Sequence, residues 1–174
     1  AAFAEASHVK TVQGKYSDTD AHEKDRWAKW GNTRPQPKPG GKTKRLPKKG
    51  LLANSGWKLV SFSSESTTND RKAAYAIDGK PRTHWHTRWT SKHPHELVID
   101  LGAQRTIRGL RYLARQDGSF NGGFKDFDLT IGDTPGQFGE PTLKGAFKKT
   151  KEPQEATCKA AKGRYVRIRV LSEV

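Results

Sequence analysis

From Leu51 onward, apolar and polar residues alternate in short segments, and the alternation is strictest in KDFDLTIGD and RYVRIRVLS. A period of two places apolar side chains on one face of a β-strand and polar side chains on the other. Both segments therefore predict strands with one face against a core. The predicted inward-facing residues are Phe127, Leu129, Ile131, Val166, Ile168 and Val170.

Three further segments are predicted strands: WKLVSFSS, HELVIDLG (95–102) and TIRGLRYLAR (106–115). Turn-forming residues separate them, and no long amphipathic helix is predicted after residue 50. Many short strands separated by turns are typical of an all-β sandwich. Asp126 and Asp128 lie two residues apart on an ordinary strand, so they are interpreted as solvated carboxylates rather than a catalytic pair.

The first 50 residues differ from the rest of the chain. Residues 1–50 hold 12 Lys and Arg against 5 Asp and Glu, and their second half is rich in proline, glycine and lysine. Such a composition cannot build a core and predicts a basic linker or the tail of a preceding domain. The predicted organisation is an extension over 1–50, irregular apart from a short helix at Ser17 to Trp30, and one folded domain over 51–174.

Charge narrows the range of partners. The net charge is +15 and the isoelectric point is about 10.1, which favours a polyanionic partner such as an acidic polysaccharide, an anionic membrane or a nucleic acid. A solvated basic surface explains the charge equally well. Cys158 is the single cysteine, so no intrachain disulfide can form. No apolar run is long enough to predict a transmembrane helix.

Catalytic motifs are missing from the sequence, and metal-binding patterns are weak. The chain has no nucleophile elbow, phosphate-binding loop or zinc-type cysteine spacing. Four histidines (His84, His86, His93 and His95) alternate in a way that can bind zinc, but Pro94 interrupts the second pair. AIDGKPRT offers the Asp78 carboxylate and nearby oxygen atoms, which suit calcium, although an ordinary turn explains it more simply.

The loop ARQDGSFNGGF (114–124) carries the richest set of polar groups. Arg115, Asp117 and Asn121 can bond to sugar hydroxyl groups, and Phe120 can stack on the C–H face of a pyranose. The alternative is a long turn whose Asp and Asn satisfy their own backbone. Residue types alone leave both interpretations open.

Four segments in order, AIDGKPRTHWHT, PHELVIDLG, GLRYLARQDGSFNGGFKDFDLTIGD and GRYVRIRVLSEV, resemble the coagulation-factor type C (discoidin) family. That family includes the galactose-binding-like carbohydrate-binding modules of family 32 and sugar-binding domains such as the N-terminal domain of galactose oxidase. The resemblance covers residues 51–174. It implies an eight-stranded antiparallel jelly-roll β-sandwich, with the side chain of Trp85 in its core.

The resemblance also implies a structural calcium ion. Its ligands would be the carbonyls of Tyr75 and Lys80, the carboxylate of Asp78, and the carbonyl and hydroxyl of Thr83. Lys80 departs from the family's usual Asn or Asp. The chain ends at LSEV, where relatives continue into a strand that completes the site, and Glu173 is not expected to replace the missing glutamate. We therefore expect a weak or incomplete calcium site.

For ligand binding, the resemblance implies a site on loops at one end of the sandwich. Arg115, Asp117 and Asn121 fit its polar part, and Phe120 or Trp89 would supply the aromatic ring. Glu65 is a further predicted contact. His86 and Thr87 are expected to brace the loops rather than contact the ligand.

The predicted function is that of a non-catalytic carbohydrate-binding module which anchors a larger secreted or periplasmic enzyme to a glycan. The resemblance implies galactose- or fucose-like units, and the charge favours an acidic or sulfated polysaccharide. The predicted partners are a carbohydrate and a parent catalytic domain in the same chain. The alternative is a discoidin-type domain that binds an anionic membrane, a protein or, less plausibly, a nucleic acid.

Overall fold

A computed structural model describes residues 50–68 and 70–174 of the chain. The predicted basic extension and its short helix at Ser17 to Trp30 lie outside these residues, apart from Gly50. The described part contains one 3₁₀ helix and five strands that form an antiparallel sheet in the order β1-β2-β5-β3-β4. The bounds are β1 Lys58–Phe62, the 3₁₀ helix Ala73–Ala76, β2 His95–Tyr112, β3 Asp126–Gly132, β4 Leu143–Ala146 and β5 Gln154–Val170.

The predicted all-β class is confirmed, and the fold is that of an antiparallel jelly-roll sandwich. Two of the predicted strands are joined, however. Segment 95–102 and residues 106–112 of the next segment form the single strand β2, which ends at Tyr112 and whose pairing with β5 shifts register between Asp100 and Arg105. The Asp100 carboxylate accepts the Gly102 N–H at 2.8 Å, and Gly102 has a φ of +80°. This local turn produces a bulge rather than a strand end because β5 continues to pair beyond it.

The two longest strands, β2 and β5, are thus interrupted by bulges and not by strand ends. β2 has 18 residues and β5 has 17, and their ladder also shifts register between Ile107 and Gly109. Bulges bend a strand and increase its twist, so one long strand can serve both layers of a sandwich. The described residues consequently form fewer and longer strands than the eight that the resemblance implied.

The core follows the predicted alternation on β3 and β5. Fully or nearly fully buried side chains come from the inner faces of β2, β3 and β5: Leu97, Ile99, Leu101, Phe127, Leu129, Val166, Ile168 and Val170. Ile131 is only partly buried and packs against this cluster. Trp85 is also partly buried rather than part of the innermost core, and its indole N–H donates to the Ser64 carbonyl at 2.8 Å.

The opposite face of β3 contradicts the prediction of a solvated surface. Asp128 is 2% exposed and Thr130 is 1% exposed. Asp128 forms a two-pronged ion pair with Arg169, in which Nη2 lies 2.6 Å from Oδ2 and Nε lies 3.0 Å from Oδ1. Neighbouring strands and their arginines cover this face, which a sequence pattern cannot show. The carboxylate is thus structural, as a buried charge requires a partner.

Four aromatic rings stack in a column between the core and the end of β2. Phe124 stacks on Tyr112 at 4.6 Å, Tyr112 on Phe147 at 5.0 Å, and Phe147 on Phe127 at 4.5 Å between ring centroids. The Tyr112 hydroxyl also accepts the Phe124 N–H at 3.0 Å. The column holds both ends of the loop between β2 and β3, and this loop carries most of the predicted ligand-binding residues.

Candidate functional site

Arg115 and Asp117 form an ion pair at the base of the loop between β2 and β3. Arg115 Nε donates to Asp117 Oδ1 at 2.7 Å, and Arg115 Nη2 donates to Asp117 Oδ2. The two side chains are 7% and 19% exposed. Burial alone would raise the pKa of the Asp117 carboxyl, but the hydrogen bonds from Arg115 and the Ser119 N–H bring that pKa down to about 2. Asp117 therefore orients the guanidinium.

Asn121 contributes both to the loop and to its surface. Its carbonyl accepts Arg115 Nη1 at 3.2 Å, and its N–H donates to Ser119 Oγ at 3.1 Å. The residue is exposed. Its side-chain amide makes no hydrogen bond to any residue that the structure describes. The backbone of Asn121 is thus fixed while its amide faces outward as a donor and acceptor.

Lys151, on the loop between β4 and β5, holds the site loop from the side. Its ammonium donates to the carbonyls of Arg115, at 2.6 Å, and Ser119. The same nitrogen lies 4.0 Å from the centroid of the Phe120 ring. Burial lowers the pKa of Lys151. One face of Phe120 is therefore occupied by a cation, which leaves less of that ring for a sugar than the sequence suggested.

Two further bonds tie this loop to parts of the chain that are distant in sequence. The side-chain amide of Gln116 donates to the Lys151 carbonyl at 3.1 Å. The Glu173 carboxylate accepts the Gly122 N–H at 2.7 Å. Glu173 thus lies at the predicted ligand loop. Neither contact was predicted, because only the folded chain places these partners side by side.

Trp89 and His86 form an aromatic pair on the segment that precedes β2. Their ring centroids lie 4.9 Å apart, tilted by 52°, and His86 is 8% exposed. The His86 carbonyl accepts the Ser66 N–H at 2.8 Å. Glu65, next to Ser66, accepts the Ala73 N–H at 2.7 Å through one carboxylate oxygen. Glu65 therefore lies next to a residue that contacts His86, and one of its carboxylate oxygens is bound to the Ala73 N–H.

His84 was not predicted as a site residue, although it is affected electrostatically by residues of both regions. Its pKa is lowered to about 3, first by burial and then by the positive charges of Arg115 and Arg71, while Asp117 raises it and His86 lowers it. His84 is therefore close enough to both regions for its charge to matter to them. The available signal was the His-x-His spacing, which puts both rings on one side of an extended segment.

The zinc interpretation of that spacing gains no support. The rings of His93 and His95 lie 4.3 Å apart. Among residues 50–68 and 70–174, however, no group of three or more His, Cys, Asp or Glu side chains is arranged to hold a metal ion.

A second cluster of oxygen atoms occupies the predicted calcium turn. The Thr83 hydroxyl donates to the Asp78 carboxylate at 2.7 Å and lies 2.9 Å from the Lys80 carbonyl. The other Asp78 oxygen accepts the Lys80 N–H at 2.8 Å. The Tyr75 hydroxyl donates to Asp70 at 3.0 Å. Three of the four predicted ligand residues thus meet within one turn.

Of the two phenylalanines in the loop at 114–124, Phe124 is packed in the aromatic column and Phe120 lies under Lys151. In the described part of the chain, no helix has both the length and the apolarity needed to cross a membrane.

Comparison with known proteins identifies relatives of this domain. The chain is 35% identical to a sialidase of Micromonospora viridifaciens over 129 residues, which is 71% of this chain and 20% of the sialidase. It is 27% identical to a galactose oxidase of Gibberella zeae over 126 residues, which is 70% of this chain and 18% of the oxidase. The chain thus spans about a fifth of the length of these relatives.

Among solved structures, the CBM32-5 module CpGH89CBM32-5 of Clostridium perfringens, in complex with GalNAc-β-1,3-galactose, superposes with a TM-score of 0.64 and 25% identity. The match covers 70% of this chain and 88% of that module. The family model of the F5/8 type C domain matches residues 60–174. The predicted resemblance is confirmed, and the chain belongs to the F5/8 type C domain family, with carbohydrate-binding modules of the CBM32 type among its structural relatives.

Proposed function

We propose that this domain is a non-catalytic module that binds a glycan at the loop end formed by Arg115, Asn121, His86 and Trp89. The observation that carries the proposal is the pairing of a nearly buried, carboxylate-held guanidinium with an outward-facing amide on the same loop. Such preorganised polar groups beside an aromatic ring suit the hydroxyl groups and C–H face of a sugar.

Each group has a distinct role in this proposal. A guanidinium has five N–H donors, and Arg115 directs at least one each from Nε, Nη1 and Nη2 to Asp117 and Asn121. Its remaining N–H groups donate to the sugar. The Asn121 amide bonds a second hydroxyl, and Trp89 stacks on the pyranose ring. We assign Asp117 the role of orienting Arg115, which donates to both of its oxygens.

The proposed ligand has galactose- or fucose-like units, in keeping with the galactose-containing disaccharide bound to the CBM32-5 module. The net charge of +15 supports an acidic or sulfated polysaccharide. Binding to a single unit is weak, because a shallow site covers little of a sugar.

The proposed role is to hold a larger secreted or periplasmic enzyme on its glycan. The relatives that the chain matches are a sialidase and a galactose oxidase, and the match covers about a fifth of each. We infer a parent catalytic domain in the same polypeptide. Linking the two raises the concentration of the enzyme at the polymer, because the second encounter is intramolecular.

We also propose that the turn of Asp78, Lys80 and Thr83 holds a calcium ion weakly. Its converging donors are all oxygen atoms, as a hard cation requires. One carboxylate is a small charge for such a site, and the lysine at position 80 adds a positive charge to the turn. The ion would stiffen the turn and take no part in contacting the glycan.

The binding proposal is tested by affinity electrophoresis in gels that contain galactan, pectate or a sulfated polysaccharide. Asn121→Ala should reduce retardation at least tenfold without changing the melting temperature, because its amide makes no bond within the described residues. Gln137→Ala is the matched control, since Gln137 is also an exposed amide in a loop. Unchanged binding by Asn121→Ala would exclude the proposed site, and absence of binding to every glycan by folded protein would exclude the function.

A further inference from the structure

The loop between β4 and β5 brings two lysine ammonium groups to the Phe120 ring. Lys151 lies 4.0 Å from the ring centroid and Lys149 lies 5.8 Å from it. Phe120 belongs to the same loop as Arg115 and Asn121, so both cations border the proposed sugar site.

The two lysines differ in what else they contact. Lys151 is half-buried, and its ammonium is occupied by two carbonyls and the ring. An ammonium has three N–H donors, so Lys151 has no donor left for a ligand. Lys149 is exposed, and among the described residues the Phe120 ring is its only side-chain partner.

Asp117 is the single acidic residue of residues 113–125, and its ion-pair partner is Arg115. Both oxygens of Asp117 accept hydrogen bonds from Arg115. No carboxylate in the described part of the chain is in ion-pair contact with Lys149. The edge of the site at Phe120 therefore carries an unneutralised positive charge that faces solvent.

We infer that Lys149 forms an anion subsite at the Phe120 edge of the site, and that the ligand is a saccharide bearing a carboxylate or a sulfate group. This inference rests on the proposed function. A sugar held by Arg115 and Asn121 extends its acidic substituent toward Lys149, which pairs with it as a point charge. Lys151 holds the loop in position, and Lys149 alone pairs with the acidic group of the ligand.

The test compares neutral and acidic glycans with the full chain at low salt. Galactose, galacturonic acid and galactose 6-sulfate are titrated by NMR, and galactan, pectate, dextran and dextran sulfate are compared in affinity gels. We expect at least one acidic glycan to bind about 2- to 5-fold more tightly than its neutral counterpart, as one partly screened ion pair gives. The carboxylate and sulfate arms identify which group is preferred.

Lys149→Gln should remove this preference and leave binding of the neutral sugar and the melting temperature unchanged. Lys162→Gln is the matched control, because Lys162 is also an exposed lysine. Its backbone is in register with Thr106 in the β2–β5 ladder, six residues before Tyr112, where the ligand loop begins. This variant should keep the preference. Equal binding of neutral and acidic glycans by the original chain, or a preference that persists in Lys149→Gln, would overturn the inference while leaving the binding proposal intact. Failure to bind any of these glycans would overturn both.

Discussion

The calcium turn at 78–83 and the ligand loop at 114–124 are both built around one aspartate, but they are held in different ways. In the turn, Asp78 bonds Lys80 and Thr83, which lie two and five residues away. In the ligand loop, Asp117 bonds Arg115 locally, yet the loop is fixed by Lys151 and Glu173, which lie more than 30 residues away from their partners.

This difference separates a self-contained turn from a loop that depends on the whole domain. The turn is held mainly by local bonds, with a bond from the Asn54 side-chain amide to the Ile77 carbonyl at 2.7 Å beside it, so its shape depends less on distant residues than that of the ligand loop. The position of the ligand loop instead depends on bonds to residues in other parts of the domain, so the binding groups move when those parts are disturbed. Damage elsewhere in the domain should therefore affect sugar binding before it affects the turn.

The largest expected contrast comes from removing the aspartate in each region. Asp117→Ala leaves the nearly buried Arg115 without its carboxylate, so we expect the free energy of unfolding to fall by about 3 kcal/mol. Asp78→Ala exposes its turn to water and should cost about 1 kcal/mol. Urea denaturation of both variants measures the difference, and equal losses would contradict the comparison.

The loss of stability in acid should show the contribution of the Arg115–Asp117 ion pair. The pKa of Asp117 is about 2 in the folded chain against 3.8 for an ordinary aspartate. A lowered pKa gives stability that is complete above pH 4 and is lost as pH falls toward 2. Asp117→Asn should lack this loss when unfolding is followed between pH 5 and pH 2. A loss of the same size in that variant would show that another group is responsible.

Lys151→Met should loosen the ligand loop without disturbing the calcium turn. The variant loses two bonds from a charged donor to carbonyls, so backbone amides of the loop should exchange hydrogen about tenfold faster. Sugar affinity should fall by a similar factor. Lys144→Met, on an exposed residue of β4, is the control. Unchanged exchange at Ser119 and Asn121 would contradict the assigned role of Lys151.

The pH dependence of stability should also show the contribution of His84. Its folded pKa of about 3 lies below the ordinary value of 6.5, so the unfolded chain takes up the proton first. Stability should therefore be constant above pH 6.5 and decline as pH falls toward 3, and His84→Gln should reduce that decline. NMR titration of the imidazole checks the cause directly. A His84 ring that titrates near pH 6.5 would be incompatible with its placement beside Arg115 and Arg71.

The smallest expected effect concerns calcium. Thr83→Val removes the hydroxyl between the Asp78 carboxylate and the Lys80 carbonyl, which should cost about 1 kcal/mol. In the original chain calcium should raise the melting temperature by only a few degrees above its value in chelator, and Thr83→Val should abolish the rise. A rise of many degrees would mean that the site binds calcium more strongly than one carboxylate suggests.

Several features of the fold were predictable because they depend on neighbouring residues. Alternation identified the inner faces of β3 and β5 correctly, and the spacing of Asp78 and Thr83 identified the turn. The same alternation failed for Asp128, since burial of the second face depends on Arg169 from another strand. It also failed to join the two halves of β2, because a bulge and a strand end share one local sequence signal.

Some residues of the candidate site were likewise predictable from the local sequence, and others were not. Arg115, Asp117 and Asn121 were predicted from one polar loop, and the structure brings them together with Ser119. Asp117 was predicted to contact the ligand, and the structure adds that it is the ion-pair partner of Arg115. His84 and Lys151 were missed because their importance comes from where they lie, beside Arg115 and above Phe120.

By itself, the sequence determined the all-β class and the inner faces of the central strands, which follow from its periodicity. Its resemblance to known domains identified the family, and it predicted the two loops to which we assign ligand and calcium binding. Tertiary structure alone decided which carboxylates are buried, which lysine is saturated with partners and which one is exposed. Burial and charge pairing depend on the distances between strands and loops, and only the folded chain fixes those distances.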